Sequence, residues 1–339
     1  MRRVIGAIAT LVLLSIACGR PPSLGGASSS ATPAPATLSP SPTNVCSNTE
    51  VPPARSLAAF AYVPSRQEAV LFGGFDASNK LLNDTWVRQS GCWTQLHPAQ
   101  SAPANTILAS AFDANSGDLV VLLYGASGGP DYLSLATWVW DGRNWLQATG
   151  TSPRISAGQA AYDPVARRVI LFAMADAGGM AQTWSWDGSG WSLLSPATSP
   201  IARYNAAMVA DPATNKILLF GGASGATGEV LGDTWTWDGM QWKQLVPQTS
   251  PPPRQETTVA PFGREGRSLL IGGLGSSGVV LNDAWQWDGS AWSAIPSLGA
   301  NCCSAAIDEG NDVVIFGGGS DHATNQTRLW NGTVWTVAA

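Results

Sequence analysis

Four arginines recur at matching places along the chain: Arg55, Arg154, Arg203 and Arg254. Each follows a proline within three residues, and each opens a run of small residues such as "SLAAFAY" or "NAAMVAD". Asn105 and Asn301 stand at the corresponding places elsewhere. A guanidinium presents a planar fork of donors that grips a carboxylate through two parallel hydrogen bonds. Four of them turned toward one opening would hold a carboxylate, a uronate or an acidic peptide. Tyr204, Asn205, Gln255 and Glu256 would sit beside them, and Asp321 and His322 would share that face. The competing expectation is that each arginine belongs to a repeated frame and pairs locally with a carboxylate or a carbonyl.

Other chemistry is scarce. There is no nucleophile elbow, phosphate-cradling loop or zinc-ligand spacing. Asp308, Glu309 and Asp312 crowd one stretch, which reads as a solvated turn and not as a calcium loop. No metal site is expected. The chain has only three lysines, a formal charge of −5 and no basic run. Nucleic-acid binding needs a clustered positive footprint, so that class is excluded.

The elements that would position the arginines come from a repeat. Trp285-Gln286-Trp287-Asp288-Gly289-Ser290-Ala291-Trp292 has three tryptophans in eight residues. The same form occurs at Trp138, Trp140 and Trp145, at Trp184, Trp186 and Trp191, and at Trp235, Trp237 and Trp242, each around an Asp-Gly pair. Degenerate copies lie at Trp86–Trp93 and Trp330–Trp335. The last tryptophan of each copy falls at 93, 145, 191, 242, 292 and 335. An apolar run keeps the same beat. It ends in Gly73-Gly74, Gly221-Gly222, Gly272-Gly273 and Gly317-Gly318, with Gly125-Ala126 and Ala173-Met174 as departures. Self-similarity at a period near 50 is the signature of a β-propeller. Each unit reads as four strands: the small-residue run, the apolar run ending in paired glycine, the "DTWTW"-type run, and a fourth strand starting at the last tryptophan. Glycine permits positive φ and close backbone approach, and Asp-Gly is a hairpin signal.

All 16 tryptophans lie in these six hairpins. Residues two apart on a strand share a face. A ligand platform would concentrate in one or two units, whereas an even spread in fixed register fills a repeated structural slot. The tryptophans are therefore expected to pack the outer blades, each burying roughly 150–250 Å².

The units resemble kelch repeats, and the resemblance covers about residues 52 to 339. It implies an all-β, six-bladed propeller with four antiparallel strands per blade. The blades are expected at 52–98, 99–150, 151–198, 199–248, 249–296 and 297–339 within a domain spanning 46–339. The last unit ends on its own fourth strand, so closure demands no exchanged strand, although residues 45–51 could add one to blade 6. Connections between strands two and three, and from strand four to the next blade, then share the channel mouth. They carry the variable sequence. Some kelch propellers are copper radical oxidases, which need two histidines, two tyrosines and a tyrosine-linked cysteine. Only His97 and His322 exist, no tyrosine flanks His322, and Cys302-Cys303 offers no match. No cofactor, copper included, is expected. The sialidase Asp box also fails, because aspartate and glycine are adjacent here.

The N-terminus has its own logic. Arg2-Arg3 precedes an uncharged apolar run from Val4 to Ile16 that ends in Ala17-Cys18. This looks like a bacterial lipoprotein signal over 1–18 with Cys18 as the lipidated residue, despite Ser15 at a place usually held by leucine; a cleaved secretory signal is the alternative. Losing Arg2 and Arg3 takes the formal charge to −7. Residues 19–45 are rich in Pro, Ser, Thr and Ala and read as an extended tether. The expectation is an exported, lipid-anchored surface module, a monomer that binds a protein or glycan. Exported cysteines are expected to be oxidised. Either Cys46 joins Cys302 or Cys303, leaving Cys92 over, or Cys46 joins Cys92 and Cys302 joins Cys303.

Overall fold

The computed structural model describes residues 46, 50–125, 135–175, 179–298, 305–308, 312–318 and 323–338. They form six antiparallel blades, each with four strands side by side in chain order; blade 1 carries a fifth short strand, Arg55–Ser56, and a separate two-stranded ribbon pairs Arg203–Tyr204 with Ala223–Ser224. Blade 4 shows the pattern: Ala207–Asp211, Lys216–Phe220, Thr234–Trp237 and Trp242–Leu245. The first strands touch one another around the ring, and the first strand of blade 1 (Ala59–Val63) meets that of blade 6 (Ala305–Asp308), which closes it. The molecule is a six-bladed β-propeller.

The second strands explain their own sequence. Each is sandwiched between neighbouring sheets, so both faces are buried and the run is apolar without alternation. Ile217, Leu218, Leu219 and Phe220 are all buried. The core is therefore a set of seams between blades. One seam gathers Val209, Leu218 and Phe220 of blade 4 with Leu270, Trp287 and Trp292 of blade 5. Another joins Leu71 and Trp93 of blade 1 to Phe316 of blade 6.

The tryptophans hold these seams. In blades 2 to 6 the second and last tryptophans face each other across the hairpin, as in Trp287 opposite Trp292, with ring centroids 5.2 Å apart. The last tryptophan also reaches into the preceding blade. Trp145 Nε1 donates to Thr85 Oγ1, Trp191 to Thr137, Trp242 to Thr183 and Trp292 to Thr234, all at 2.9–3.1 Å. Trp93 of blade 1 donates to Thr327 of blade 6 and completes the circle. The sixth seam differs, since Ala284 stands where the acceptor threonine would be. Trp335 Nε1 donates instead to the Pro296 carbonyl.

The Asp-Gly turns are four-residue loops, not two-residue ones. Asp238 Oδ1 accepts the amides of Met240 and Gln241, and Gly239 takes φ of 98°. Trp237 and Trp242 pair directly on either side.

The chain joins the ring without an added strand among the described residues of 45–51. Arg55 closes it through its backbone: its amide donates to the Thr324 carbonyl, and its carbonyl accepts from Gly318. A disulfide between Cys46 and Cys92 ties this segment to the outer strand of blade 1. Of the two pairings open from sequence, this leaves the one that assigns Cys92. Cys302 and Cys303 lie outside the described residues.

Candidate functional site

Each arginine begins where a proline-containing connection enters its blade, and its backbone is fixed first. The Arg254 carbonyl accepts from Gly222 of blade 4 and its amide donates to Leu231. The paired glycines make this possible. A Cβ on Gly221 would fall inside contact distance of the Arg254 carbonyl oxygen, and one on Gly222 would lie 2.8 Å from the Tyr204 carbonyl. Both glycines have positive φ, which L side chains rarely adopt.

The side chains then turn inward. Arg203 Nη1 donates to Asp233 Oδ1 at 2.6 Å and Nη2 to Oδ2 at 2.9 Å. Nη1 also reaches the Gly221 carbonyl and Nε the Ile201 carbonyl. Arg55 repeats this with Asp84, Gly73 and Pro53. Arg254 repeats it with Asp283, Gly272 and Pro252. All three guanidiniums are buried. Burial raises the carboxyls of Asp84, Asp233 and Asp283, but the arginine hydrogen bonds and charge outweigh it and hold them below the ordinary carboxylate value. The three arginines are thus engaged inside their own blades and do not form an open ring of cations. The local pairing set against the ring from sequence is what these three make.

The other residues of the expected site divide. Asn105 substitutes for arginine in blade 2, and its Nδ2 donates to the carbonyls of Tyr124 and Gly125. Arg154 is exposed, and its blade has Gln182 where the paired aspartate would stand. Tyr204 and Gln255 are half-buried at the mouth side of blades 4 and 5. Beside them Asn205 Nδ2 donates to Glu256 Oε1 at 3.0 Å, and the Glu256 amide donates to the Asn205 carbonyl, linking the two blades. Asn301, Asp321, His322 and Cys18 lie outside the described residues. His97 is exposed beyond the outer strand of blade 1.

Sequence reasoning missed what the aspartate does. It sits two residues before the first tryptophan and also accepts that indole: Trp86 to Asp84, Trp235 to Asp233, Trp285 to Asp283. Blade 3 keeps the acceptor as Gln182 Oε1 for Trp184. Blade 6 has Arg328 in place of the tryptophan, and it donates to Gln326 Oε1. In blade 2 the position is Ala136, and Trp138 Nε1 is left buried without a partner. The same logic explains Trp140, whose Nε1 is also unpaired. Trp237 Nε1 donates to Asp163 in the blade before it, but blade 1 offers Val63 at that register. Ala136→Gln is expected to give Trp138 its acceptor without adding charge, and to stabilise the fold by about 0.5–1.5 kcal/mol. Thermal unfolding of the variant checks this, and an unchanged or lower melting temperature would contradict it.

No family model matches the chain. It is similar to tRNA wybutosine-synthesizing protein 4 of Emericella nidulans. The two are 27% identical over 196 residues, which is 54% of this chain and 14% of the relative. The chain therefore corresponds to a small part of that protein's length.

Proposed function

We propose that the chain is a non-catalytic binding module, exported and lipid-anchored through Cys18, whose mouth face holds a protein or glycan partner. One observation carries this reading. The repeated polar groups, the Arg–Asp pairs and indole donors, are engaged within the frame, while residues that differ from blade to blade sit together on one face. Lys80, Arg154, Met180, Glu229 and Val279 all lie in the connections that share the mouth, and loops on a rigid scaffold are where specificity resides. With Arg55, Arg203 and Arg254 buried, an acidic ligand would rely on Arg154 and Lys80. The Cys46–Cys92 bond fits an oxidising compartment. The relative's name concerns tRNA, but a chain of this negative charge without a basic run is poorly suited to that ligand. The alternative is an oxidase of the copper radical kind. Among the described residues no three His, Cys, Asp or Glu side chains gather as a metal site.

The test is a glycan and acidic-peptide array probed with the purified domain, followed by variants on both faces. Arg154→Ala and Tyr204→Ala are expected to weaken the hit about tenfold, which is ~1.4 kcal/mol. Arg143→Ala and Met240→Ala, on the opposite face, should leave it unchanged. The reverse pattern would sink the mouth as the binding face, and one copper per purified chain would favour the oxidase. Cys18→Ser should move the protein from the membrane fraction to the soluble exported fraction.

A further inference from the structure

Blades 2 to 5 all turn between their third and fourth strands through Asp-Gly: Asp141-Gly142, Asp187-Gly188, Asp238-Gly239 and Asp288-Gly289. Blade 6 has Asn331-Gly332, the one Asn-Gly pair in the sequence. The turn is otherwise the same. Asn331 Oδ1 accepts from the Thr333 amide at 2.9 Å, the Thr333 hydroxyl at 2.9 Å and the Val334 amide at 3.0 Å. Asn331 is exposed, so water reaches it. Gly332 has φ of 98°, and its amide donates no hydrogen bond among the described residues.

We propose that Asn331 is a self-modification site, at which the turn itself converts the side-chain amide to a carboxylate. The Gly332 amide nitrogen, losing its proton to water, attacks Asn331 Cγ. Negative charge develops on Oδ1, where three donors already point; donors fixed where charge will appear lower such a barrier. The Cγ–N bond breaks, the amide nitrogen picks up a proton and leaves as ammonia, and a five-membered imide remains. Water then opens the imide at either carbonyl, giving aspartate or its backbone-shifted isomer. Ammonia is lost, water is gained, and nothing is oxidised or reduced. The residue after the asparagine lacks a side chain, so nothing shields the attacking nitrogen.

The location gives the change a consequence. Arg264 of blade 5 donates through Nη2 to the Asn331 carbonyl across the seam. This is the seam where Ala284 removes the tryptophan–threonine bond that the other five seams have. An aspartate at 331 would restore the turn chemistry of blades 2 to 5 and place a carboxylate beside Arg264. Glu265, which lies next to Gly332 and weakly pairs with Arg264 at 3.7 Å, opposes it in part.

The experiment ages the purified protein at neutral pH in heavy-oxygen water and follows each asparagine by peptide mapping. Asn144 and Asn215, also in turns, serve as internal references, and a synthetic peptide of residues 327–336 serves as the unstructured one. Asn331 is expected to convert at least about tenfold faster than Asn144 or Asn215, and no slower than the peptide. Thr333→Val, which removes one donor to Oδ1, should slow it a few-fold in the folded protein and not in the peptide. An Asn331 that keeps its amide while the peptide converts, or a Thr333→Val protein converting at the original rate, would overturn the proposal. For the seam, Asn331→Asp should raise the melting temperature, and adding Arg264→Ala should abolish the gain; no gain would remove that consequence.

Discussion

Replacing Asp233 by alanine is expected to destabilise the propeller by about 3–5 kcal/mol, toward the lower figure because the carboxylate is partly open to water. Arg203 has a side chain that is 0% exposed, and both Asp233 oxygens face it. Without them a charged guanidinium would keep only the carbonyls of Ile201 and Gly221. Trp235 Nε1, now 2.7 Å from Oδ2, would lose its acceptor as well. Breaking a buried pair is costly because of the charge left behind, not because the pair itself is worth so much. The double variant Arg203→Met with Asp233→Leu should therefore recover most of the loss. Chemical denaturation of the two variants measures both effects. A loss below about 1 kcal/mol for Asp233→Ala, the size seen at exposed pairs, would contradict the assignment.

The same pair sets a pH dependence. The folded Asp233 carboxyl lies below its ordinary value, with Arg203 overcoming the effect of burial. A depressed carboxyl contributes stability that is fully present above the unfolded value and is lost as pH falls through the folded one. The wild type should keep this share above the ordinary carboxylate value and lose it progressively as pH falls below that value and through the folded one. Asp233→Ala should show a shallower acid step, since Asp84 and Asp283 remain.

Most of the frame was readable because it repeats. Trp145, Trp191, Trp242 and Trp292 recur at one register, and no local accident produces that. Each was expected to pack a blade, and each proved buried. What could not be read was direction. Arg55, Arg203 and Arg254 mark the mouth in sequence, yet nothing local says whether a guanidinium faces the channel or its own blade. Two residues after each of them, Leu57, Asn205 and Glu256 take φ of 53–55°, a left-handed step that neither leucine nor glutamate announces. The answer lay 29 or 30 residues further on, in Asp84, Asp233 and Asp283. Aspartate accompanies arginine in those three blades and is missing from blade 3, where Arg154 is exposed. That co-occurrence was visible. The disulfide was not, because the relation of Cys46 to blade 1 or blade 6 depends on how the ring closes, a long-range matter outside any repeat.

Ring closure is also where the second large effect is expected. Trp93→Ala should cost about 3–5 kcal/mol, the range for truncating a large buried aromatic. Trp93 packs against Phe60 at 5.9 Å and Phe316 at 5.0 Å between centroids, and donates to Thr327. Trp242 fills the equivalent place at the seam between blades 3 and 4, against Phe172 and Thr183. Trp242 also faces Trp237 across its hairpin, where Trp93 faces Arg88, so local contacts alone would not make Trp93 the more sensitive of the two. The two differ in what else holds the seam. Blades 3 and 4 are consecutive in the chain, so an opened seam is still tethered by a short connection. Blades 6 and 1 are joined by no peptide link, and reclosing them carries the entropy of a loop as long as the domain. Apart from apolar packing, the backbone bonds of Arg55 to Thr324 and Gly318 share that seam with Trp93. Trp93→Ala should therefore increase protease cleavage in blades 1 and 6 well before global unfolding, whereas Trp242→Ala should lower global stability without that local signature. Equal cleavage patterns in the two variants would mean that all six seams open alike and that the join between first and last blade has no special weakness.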